Sequence, residues 1–179
     1  MLGTKIAIEK FLSIPLPAEV ILPEGEPKFF VYEDIKALIL ERKPFFWIDK
    51  AVSVGNDFML TSTKVTVRQC EGHFPGYPVV PLIEIFRLAA QTGLLLTALN
   101  LSAGHEPLAG GSGKNRSKLD VFIEAPVSIL VEAKKTAFKM GLYFVDTKIY
   151  AHNLAIATAE NIIYTSMPKS SIVSKMAAG

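Results

Sequence analysis

The chain has 179 residues, of which 50% are hydrophobic and 20% are charged, and its formal net charge at pH 7 is +2. This length suits one domain with a sizeable core, alone or with a terminal arm. No run of Lys and Arg exceeds two residues, so the sequence lacks the basic tract typical of nucleic-acid-binding proteins, and we expect no nucleic-acid partner.

The first part of the chain is predicted to contain an arm, a short helix and two strands. Residues 1–29 contain four prolines and little periodicity, which predicts an extended N-terminal arm. A short helix is predicted over 32–41, followed by strands over 45–53 and 58–67 around a turn at Gly55. One face of the second strand is mainly β-branched and is expected to point inward. That face holds Met59, Thr61, Thr63, Val65 and Val67.

A long and almost wholly apolar run predicts a buried central helix. It extends from Leu82 to Asn100, with Pro81 suited to the first turn and Asn100 to the end. The glycine-rich stretch over 104–118 predicts a flexible connector after the helix. Three further strands are predicted over 127–138, 142–150 and 155–164.

This order of elements predicts an α+β domain in which a sheet wraps a helix. The predicted division of the chain is an N-terminal extended arm over 1–29, one domain over 30–167 and a flexible tail over 168–179. Because half of the residues are hydrophobic, we expect a second copy or a related subunit to cover part of the surface.

Cysteine content and charge placement predict a cytoplasmic protein. Cys70 is the only cysteine, which excludes an intrachain disulfide and suits a reducing compartment. Lys5 and Glu9 interrupt the first ten residues, so no signal peptide is predicted. The apolar run over 81–101 approaches the length of a membrane span, but its charged residues argue against one.

The stiffest segment is His-Phe-Pro-Gly-Tyr-Pro-Val-Val-Pro at 73–81. Its three prolines fix φ near about −65° and leave Gly76 as the free joint. Such a segment can hold the imidazole of His73 in place, and a neutral imidazole is the best general base available near pH 7. We therefore favour a functional role for His73 over a purely structural one.

A polar stripe crosses the predicted central helix. Glu84, Arg87 and Gln91 are spaced three and four residues apart, so they share one face. Buried charges are costly unless they are paired. Two explanations stay open: an internal pair or a wet seam between subunits, or a face that lines a pocket with His73 at its mouth.

Two other patterns give weaker signals. The Gly110–Asn115 stretch is not a phosphate loop, because that motif needs Gly where Leu108 stands and Ser or Thr where Asn115 stands. A smaller possibility is a basic lip that meets an anionic group. Its residues are Lys114, Arg116 and Lys118.

The histidines and the cysteine show no recognised zinc spacing, so no metal site is predicted. A nucleophilic pair of Cys70 and His73 is a weaker alternative to a buried structural cysteine. His105 and His152 lie among turn residues and are expected to be solvated.

Three blocks of the sequence stand out together: Arg-Lys-Pro-Phe-Phe-Trp-Ile-Asp-Lys at 42–50, Gly-His-Phe-Pro-Gly-Tyr-Pro-Val-Val-Pro at 72–81 and Leu-Ala-Ala-Gln at 88–91. They resemble the bacterial 3-hydroxyacyl-acyl-carrier-protein dehydratases of fatty-acid synthesis, which have the hot-dog fold. The similarity extends over about 32–164. It implies a dimer whose sheets join edge to edge, and an acyl substrate carried as a thioester on phosphopantetheine.

The resemblance also implies site residues. His73 corresponds to the base that removes a proton next to the thioester carbonyl, and backbone N–H groups at the helix start polarise that carbonyl. The family has an acid fourteen residues after the histidine, which acts from the partner subunit, and a glycine after the last proline. This chain has Arg87 and Leu82 at these two positions. Arginine does not deprotonate in proteins, so it cannot be that acid.

Glu84, one turn before Arg87, is the predicted replacement acid, with His73 as the other catalytic residue. Alternatively Arg87 binds an anionic substrate group or an enolate while His73 acts alone. The residues predicted to bind substrate are Gly76, Leu82, Ile83, Arg87 and Gln91.

The predicted function is elimination of water from a 3-hydroxyacyl thioester. The alternatives are an acyl-thioesterase, or a non-catalytic accessory subunit that binds acyl carrier protein or pairs with a catalytic partner. Expected partners are acyl carrier protein or a coenzyme A thioester, in a homodimer or a heterodimer with another hot-dog subunit. No cofactor beyond the carried phosphopantetheine is expected.

Overall fold

The computed structural model describes residues 2–39, 46–117 and 122–171. In chain order its elements are α1 (Leu2–Leu12), β1 (Pro27–Val31), α2 (Tyr32–Leu38), β2 (Lys50–Val54), β3 (Phe58–Val65), a 3-10 helix (Val67–Cys70), α3 (Leu82–Ala98), β4 (His105–Ser117), β5 (Val127–Lys139), β6 (Leu142–Ala151) and β7 (Leu154–Pro168).

Among the described residues, the strands form one seven-stranded sheet in the order β1-β2-β3-β5-β6-β7-β4. Every neighbouring pair is antiparallel. β4 follows α3 in the chain but lies at the far edge of the sheet, beside β7, while α3 contacts β3 to β7. The predicted α+β architecture, a long helix wrapped by an antiparallel sheet, is confirmed.

The helix α3 is buried because its sequence is apolar on nearly every side. Leu88 and Leu95 belong to the main core together with Met59 of β3, so the face of β3 predicted to point inward does so. One pair of buried hydroxyl groups connects α3 with β3. The hydroxyl oxygens of Thr61 and Thr92 lie 2.7 Å apart, and Thr92 also bonds back to the helix.

The strand β7 approaches α3 closely at one glycine. The hydroxyl of Tyr164 donates a hydrogen bond of 2.8 Å to the carbonyl of Ala90. A Cβ at Gly93 would lie 2.6 Å from Cζ of Tyr164, which is closer than real Cβ contacts. Glycine at position 93 therefore allows the phenol ring to lie against the helix backbone.

The N-terminal arm covers the outer face of the sheet, and its first part is a helix. Lys50 of β2 and Ser62 of β3 face each other in register. The Lys50 ammonium donates to the carbonyl of Phe11 at 2.7 Å, and the Ser62 hydroxyl donates to that of Leu12 at 3.0 Å. Because carbonyls in the last turn of a helix have no partner within it, these side chains stabilise the end of α1.

The prediction of an extended arm is wrong for residues 2–12. The prolines that suggested it begin only at Pro15, after the helix has ended. The arm and the outer face of the sheet together form a second apolar cluster. Its buried members are Ile8, Leu12, Leu16, Val20, Val52, Val54, Phe58, Leu60, Leu130 and Tyr150.

A buried carboxylate lies on this outer face. Glu132 is 3% exposed, accepts a hydrogen bond of 3.2 Å from the Tyr150 hydroxyl, and lies 2.7 Å from the Lys134 ammonium. Burial, and then the negative charge of Glu132, raise the pKa of the Tyr150 phenol. The phenol thus stays protonated near neutral pH, and the buried carboxylate keeps both partners.

The glycine-rich stretch is not a flexible connector. Residues 105–117 form β4, which pairs along its whole length with β7 around one bulge at Gly110. A Cβ at Gly113 would lie 3.0 Å from Cβ of Asn161. The glycines therefore allow close strand pairing where the sequence alone suggested a loop.

Other boundaries differ in detail from the predicted ones. β1 was not predicted, and Val67 begins the 3-10 helix instead of ending β3. Pro168, predicted to begin the flexible tail, ends β7, and 169–171 form a helical turn. Some predicted boundaries lie outside the described residues. They are the end of the helix predicted over 32–41, the start of the strand predicted over 45–53, and the tail over 172–179.

Within the described ranges, no helix is long and apolar enough to cross a membrane. In the same part of the chain, no group of three or more His, Cys, Asp and Glu side chains is arranged to hold a metal ion.

We expect Gly93→Ala to lower the free energy of unfolding by about 1–3 kcal/mol, because the new methyl group overlaps the Tyr164 ring. The measurement is urea unfolding followed by circular dichroism. Gly3→Ala is the matched control, since no atom lies within 4 Å of its added Cβ; it should be neutral or stabilising by up to about 1 kcal/mol. Equal midpoints for the Gly93 variant and the wild type would contradict the close approach.

We expect Lys50→Met to loosen the arm, because Phe11 loses the donor to its carbonyl. Hydrogen exchange measured by mass spectrometry should be faster over residues 2–12 and unchanged in β5 and β6. Lys64→Met, at an exposed position of β3, serves as the control. Unchanged protection of the arm in the Lys50 variant would show that apolar contacts alone hold it.

Candidate active site

The predicted catalytic loop is a series of tight turns. After the 3-10 helix, the His73 amide donates to the carbonyl of Cys70 at 3.3 Å, and the Tyr77 amide donates to that of Phe74 at 3.1 Å. Gly72 and Gly76 have φ values of +85° and +81°, a region that side chains disfavour. The two glycines thus permit the reversals of direction on either side of His73.

The exit of this loop is fixed by backbone hydrogen bonds to the segment before β5. The Val80 amide donates to Ile123, and the Ala125 amide donates to Pro78, both at 2.8 Å. Because these bonds hold residues 78–80 in place, the orientation in which the chain enters α3 is set by the sheet.

The imidazole of His73 is exposed and lies edge-on to the ring of Phe74, with 4.5 Å between the ring centroids. Residues of the loop line an open pocket of about 260 Å³, whose walls also include Cys70 and Glu71. Several large apolar side chains around the loop are exposed, and we call them the apolar rim. The apolar rim consists of Phe74, Tyr77, Leu82, Ile83 and Phe122.

The start of α3 presents free backbone donors. The amides of Glu84 and Ile85 already donate to the carbonyl of Pro81, whereas those of Leu82 and Ile83 precede the first intrahelical acceptor. No side chain of the described residues caps this end. The helix dipole and these N–H groups suit an oxygen that carries or develops negative charge.

Glu84 and Arg87 form an ion pair on the first two turns of α3. Their closest atoms, Oε2 of Glu84 and Nη1 of Arg87, lie 2.9 Å apart. The Glu84 side chain is 14% exposed and that of Arg87 is 37% exposed. The internal pair, one of the two explanations left open for the stripe, is present, and the guanidinium is the more accessible partner.

Gln91, the third residue of the stripe, is 2% exposed. Its side-chain oxygen accepts a hydrogen bond of 3.3 Å from the amide of Trp47, whose carbonyl accepts one of 3.0 Å from Thr63. Gln91 thus connects α3 with the segment that leads into β2. Its role in substrate binding stays a prediction.

The alternative sites are less well supported by the geometry. Cys70 is 2% exposed, and burial raises the pKa of its thiol. The hydrogen bond described between Cys70 and His73 joins backbone atoms and does not involve the thiol. His105 begins β4, and its Nδ1 is enclosed, contrary to the expectation of a solvated side chain. His152 is exposed in a turn, as expected.

The basic lip is partly described. Lys114 and Arg116 are exposed on the edge strand β4, whereas Lys118 lies outside the described residues. Phe122 and Trp47 were not predicted as neighbours of the site. Burial alternates over 122–127 in the structure, but the sequence there shows no matching alternation because the exposed residue 122 is Phe.

The sequence is similar to those of known dehydratases. Over 132 residues the chain is 30% identical to a 3-hydroxyacyl-acyl-carrier-protein dehydratase of Coxiella burnetii, which covers 71% of this chain and 93% of the relative. No family model matches the chain.

Two solved structures have the same fold. The dehydratase heterocomplex ApeI:P from Xenorhabdus doucetiae has a TM-score of 0.60 at 9% identity, covering 79% of this chain and 96% of that one. A hot-dog-like protein from Thermanaerovibrio acidaminovorans has a TM-score of 0.54 at 8% identity, covering 66% and 87%. The predicted hot-dog fold is confirmed.

We expect Cys70 to react slowly with iodoacetamide in the folded protein. Burial raises the pKa of the thiol, so the reactive thiolate is scarce at pH 8, and the rate should be about tenfold or more below that of the protein in urea. Alkylation followed by mass spectrometry measures both rates. Equal rates in the two states would restore Cys70 as a candidate nucleophile.

Proposed function

Because the chain belongs to the family of 3-hydroxyacyl-acyl-carrier-protein dehydratases, we propose that it removes water from a 3-hydroxyacyl thioester. One observation carries the proposal: the loop that holds His73 leads directly into the uncapped start of α3. A base and a set of donors for a carbonyl oxygen are thereby placed on one continuous segment.

Each part of this segment has a task in the elimination. His73 removes the proton from C2 of the substrate, next to the thioester carbonyl. The carbonyl oxygen gains negative charge as that proton leaves, and the free N–H groups of Leu82 and Ile83 stabilise it. Leu82 keeps this backbone donor although its side chain is larger than the family's glycine.

The departing hydroxyl needs a proton, and two groups could deliver it. Glu84 is the acid that the sequence predicts. The imidazolium of His73 also holds a proton once abstraction is complete, and a base can return that proton to the leaving oxygen.

The substrate in this proposal is an acyl chain on phosphopantetheine, attached to acyl carrier protein or to coenzyme A. The apolar rim around His73 supports an acyl chain or a second subunit as the neighbour of the site, since soluble chains seldom expose several large apolar side chains together.

A second candidate function is an accessory subunit, and Arg87 favours it. The residue that stands at the family's acid position is a guanidinium held by Glu84 of the same helix. A chain that supplies His73 but no acid could complete its site with the acid of another hot-dog subunit. One of the structural neighbours is a dehydratase heterocomplex, which is the kind of assembly that an accessory subunit requires.

The test of the first candidate is incubation of the purified chain with a short 3-hydroxyacyl thioester on acyl carrier protein, followed by mass spectrometry. We expect loss of one water, reduced by roughly 10²–10⁴ in His73→Asn because the base is gone. His152→Asn, in an exposed turn outside the loop, is the matched control and should retain activity. Water loss that survives in His73→Asn would refute His73 as the base, and release of free acid would instead indicate a thioesterase.

The accessory reading predicts that the chain alone is inactive. This chain is then refolded together with a dehydratase of the family in which the catalytic histidine is replaced by alanine. The mixture should be active. The same mixture made with His73→Asn should stay inactive. Turnover by the purified chain without any partner would contradict the accessory role.

A further inference from the structure

The N-terminal arm borders a cavity of its own, which we call the arm cavity. Leu2, Thr4 and Lys5 of α1 line it together with residues 20–25, which lead towards β1. Its volume is about 660 Å³, within the roughly 300–1,000 Å³ that is usual for small-molecule sites. The arm cavity therefore has the size of a ligand site, and it lies outside the 32–164 stretch that resembles the dehydratases.

The lining of the arm cavity is mainly aliphatic. Val20 is 7% exposed and belongs to the apolar cluster between the arm and the sheet, against which Leu22 packs. Leu2 and Ile21 are 77% and 74% exposed. Of the described residues that line the cavity, none is aromatic, so no ring is present on which a planar base would stack. An aliphatic chain suits this surface and would remove exposed apolar side chains from water.

Lys5 is the cation of the arm cavity. Its side chain belongs to a partly buried residue, and within the described ranges its ammonium forms no ion pair. Glu24 also lines the cavity, but it is exposed and water can solvate its carboxylate. A partly buried ammonium that is surrounded by aliphatic side chains favours a negatively charged group beside it.

A neighbouring cavity differs in this respect. It has a volume of about 560 Å³ and shares the segment around Pro23 with the arm cavity. Its two lysines already have carboxylate partners within the protein, because Lys135 pairs with Asp57 and Lys134 pairs with Glu132. Of these two cavities, the arm cavity is therefore the one that leaves its cation available to a ligand.

We propose that the arm cavity binds a single-chain aliphatic carboxylate, that is, the anion of a free fatty acid. The carboxylate lies at the Lys5 ammonium, and the hydrocarbon chain lies against Leu2, Val20 and Ile21. Binding joins the start of α1 to the segment before β1 and so stabilises the folded arm. The arm cavity does not include His73, so this proposal is independent of the proposed elimination.

The test is isothermal titration calorimetry of the full chain with decanoate, below the concentration at which decanoate forms micelles. We expect one site per chain. Decanol, which has the same chain without the charge, should bind about tenfold more weakly. Each methylene removed from the chain should weaken binding by up to about fourfold, and acetate should not bind measurably.

Two variants test the two parts of the site. Lys5→Met keeps a long apolar side chain but removes the charge, so it should bind decanoate about tenfold more weakly and decanol as the wild type does. Ile21→Asp places a carboxylate against the chain and should abolish binding of both. Lys10→Met, at an exposed position of α1 outside the lining, is the matched control and should bind decanoate as the wild type does.

A decanoate analogue with a photoreactive diazirine on its chain locates the ligand, because the apolar rim is a second place where a hydrocarbon chain can bind. After irradiation, mass spectrometry should find the label within residues 2–12 or 20–25. The proposal is overturned if the label is confined to the loop and rim over 73–83. It is also overturned if decanoate does not bind, or if folded Lys5→Met binds it as tightly as the wild type does. None of these results measures turnover, so a failure here leaves the proposed elimination standing.

Discussion

The burial of α3 against the sheet is the constraint on which the rest of the structure depends. The loop that holds His73, the free N–H groups and the Glu84–Arg87 pair are all placed by the path and rotation of this helix. Its rotation is set by contacts of three consecutive residues: Gln91 bonds to Trp47, Thr92 bonds to Thr61, and the Tyr164 ring lies against the backbone at Gly93. Because consecutive residues of a helix point in directions about 100° apart, these contacts hold the helix on three sides and fix the orientation of its first turn, which is what a preorganised site requires.

The same helix explains how a family site can change its chemistry without a change of fold. The loop and the backbone donors depend on main-chain geometry, so they persist whichever side chain follows Pro81 or stands at position 87. Replacing the family's acid by Arg87 introduces a charge on a mostly apolar helix, and Glu84 one turn away compensates it. The pair therefore has a structural reason to exist before any role in catalysis is considered.

Much of this arrangement was predictable from the sequence, because local signals coincide with the final contacts. The rigid loop, the central helix and the inward face of β3 follow from prolines, hydrophobic runs and alternation. The first helix was missed because prolines after residue 13 dominated the pattern of the whole arm. The strand β4 was missed because glycine disfavours strands in isolation, and only pairing with β7 reveals that Gly113 must lie against Asn161. Arg87 pairs with Glu84 because of the rotamers that the two side chains adopt. The spacing of residues in the sequence does not determine those rotamers.

The N-terminal arm has a consequence for how the chain can be handled and how it can evolve. The strands β2 and β3 are buried on both faces, because α3 covers one and the arm covers the other. A version of the protein without the arm would leave Val52, Leu60 and Leu130 facing water, and such an uncovered apolar sheet is prone to aggregate. The arm thus shields the outer face of its own sheet from water. Because the arm and this face pack against each other, substitutions in one are limited by the side chains of the other.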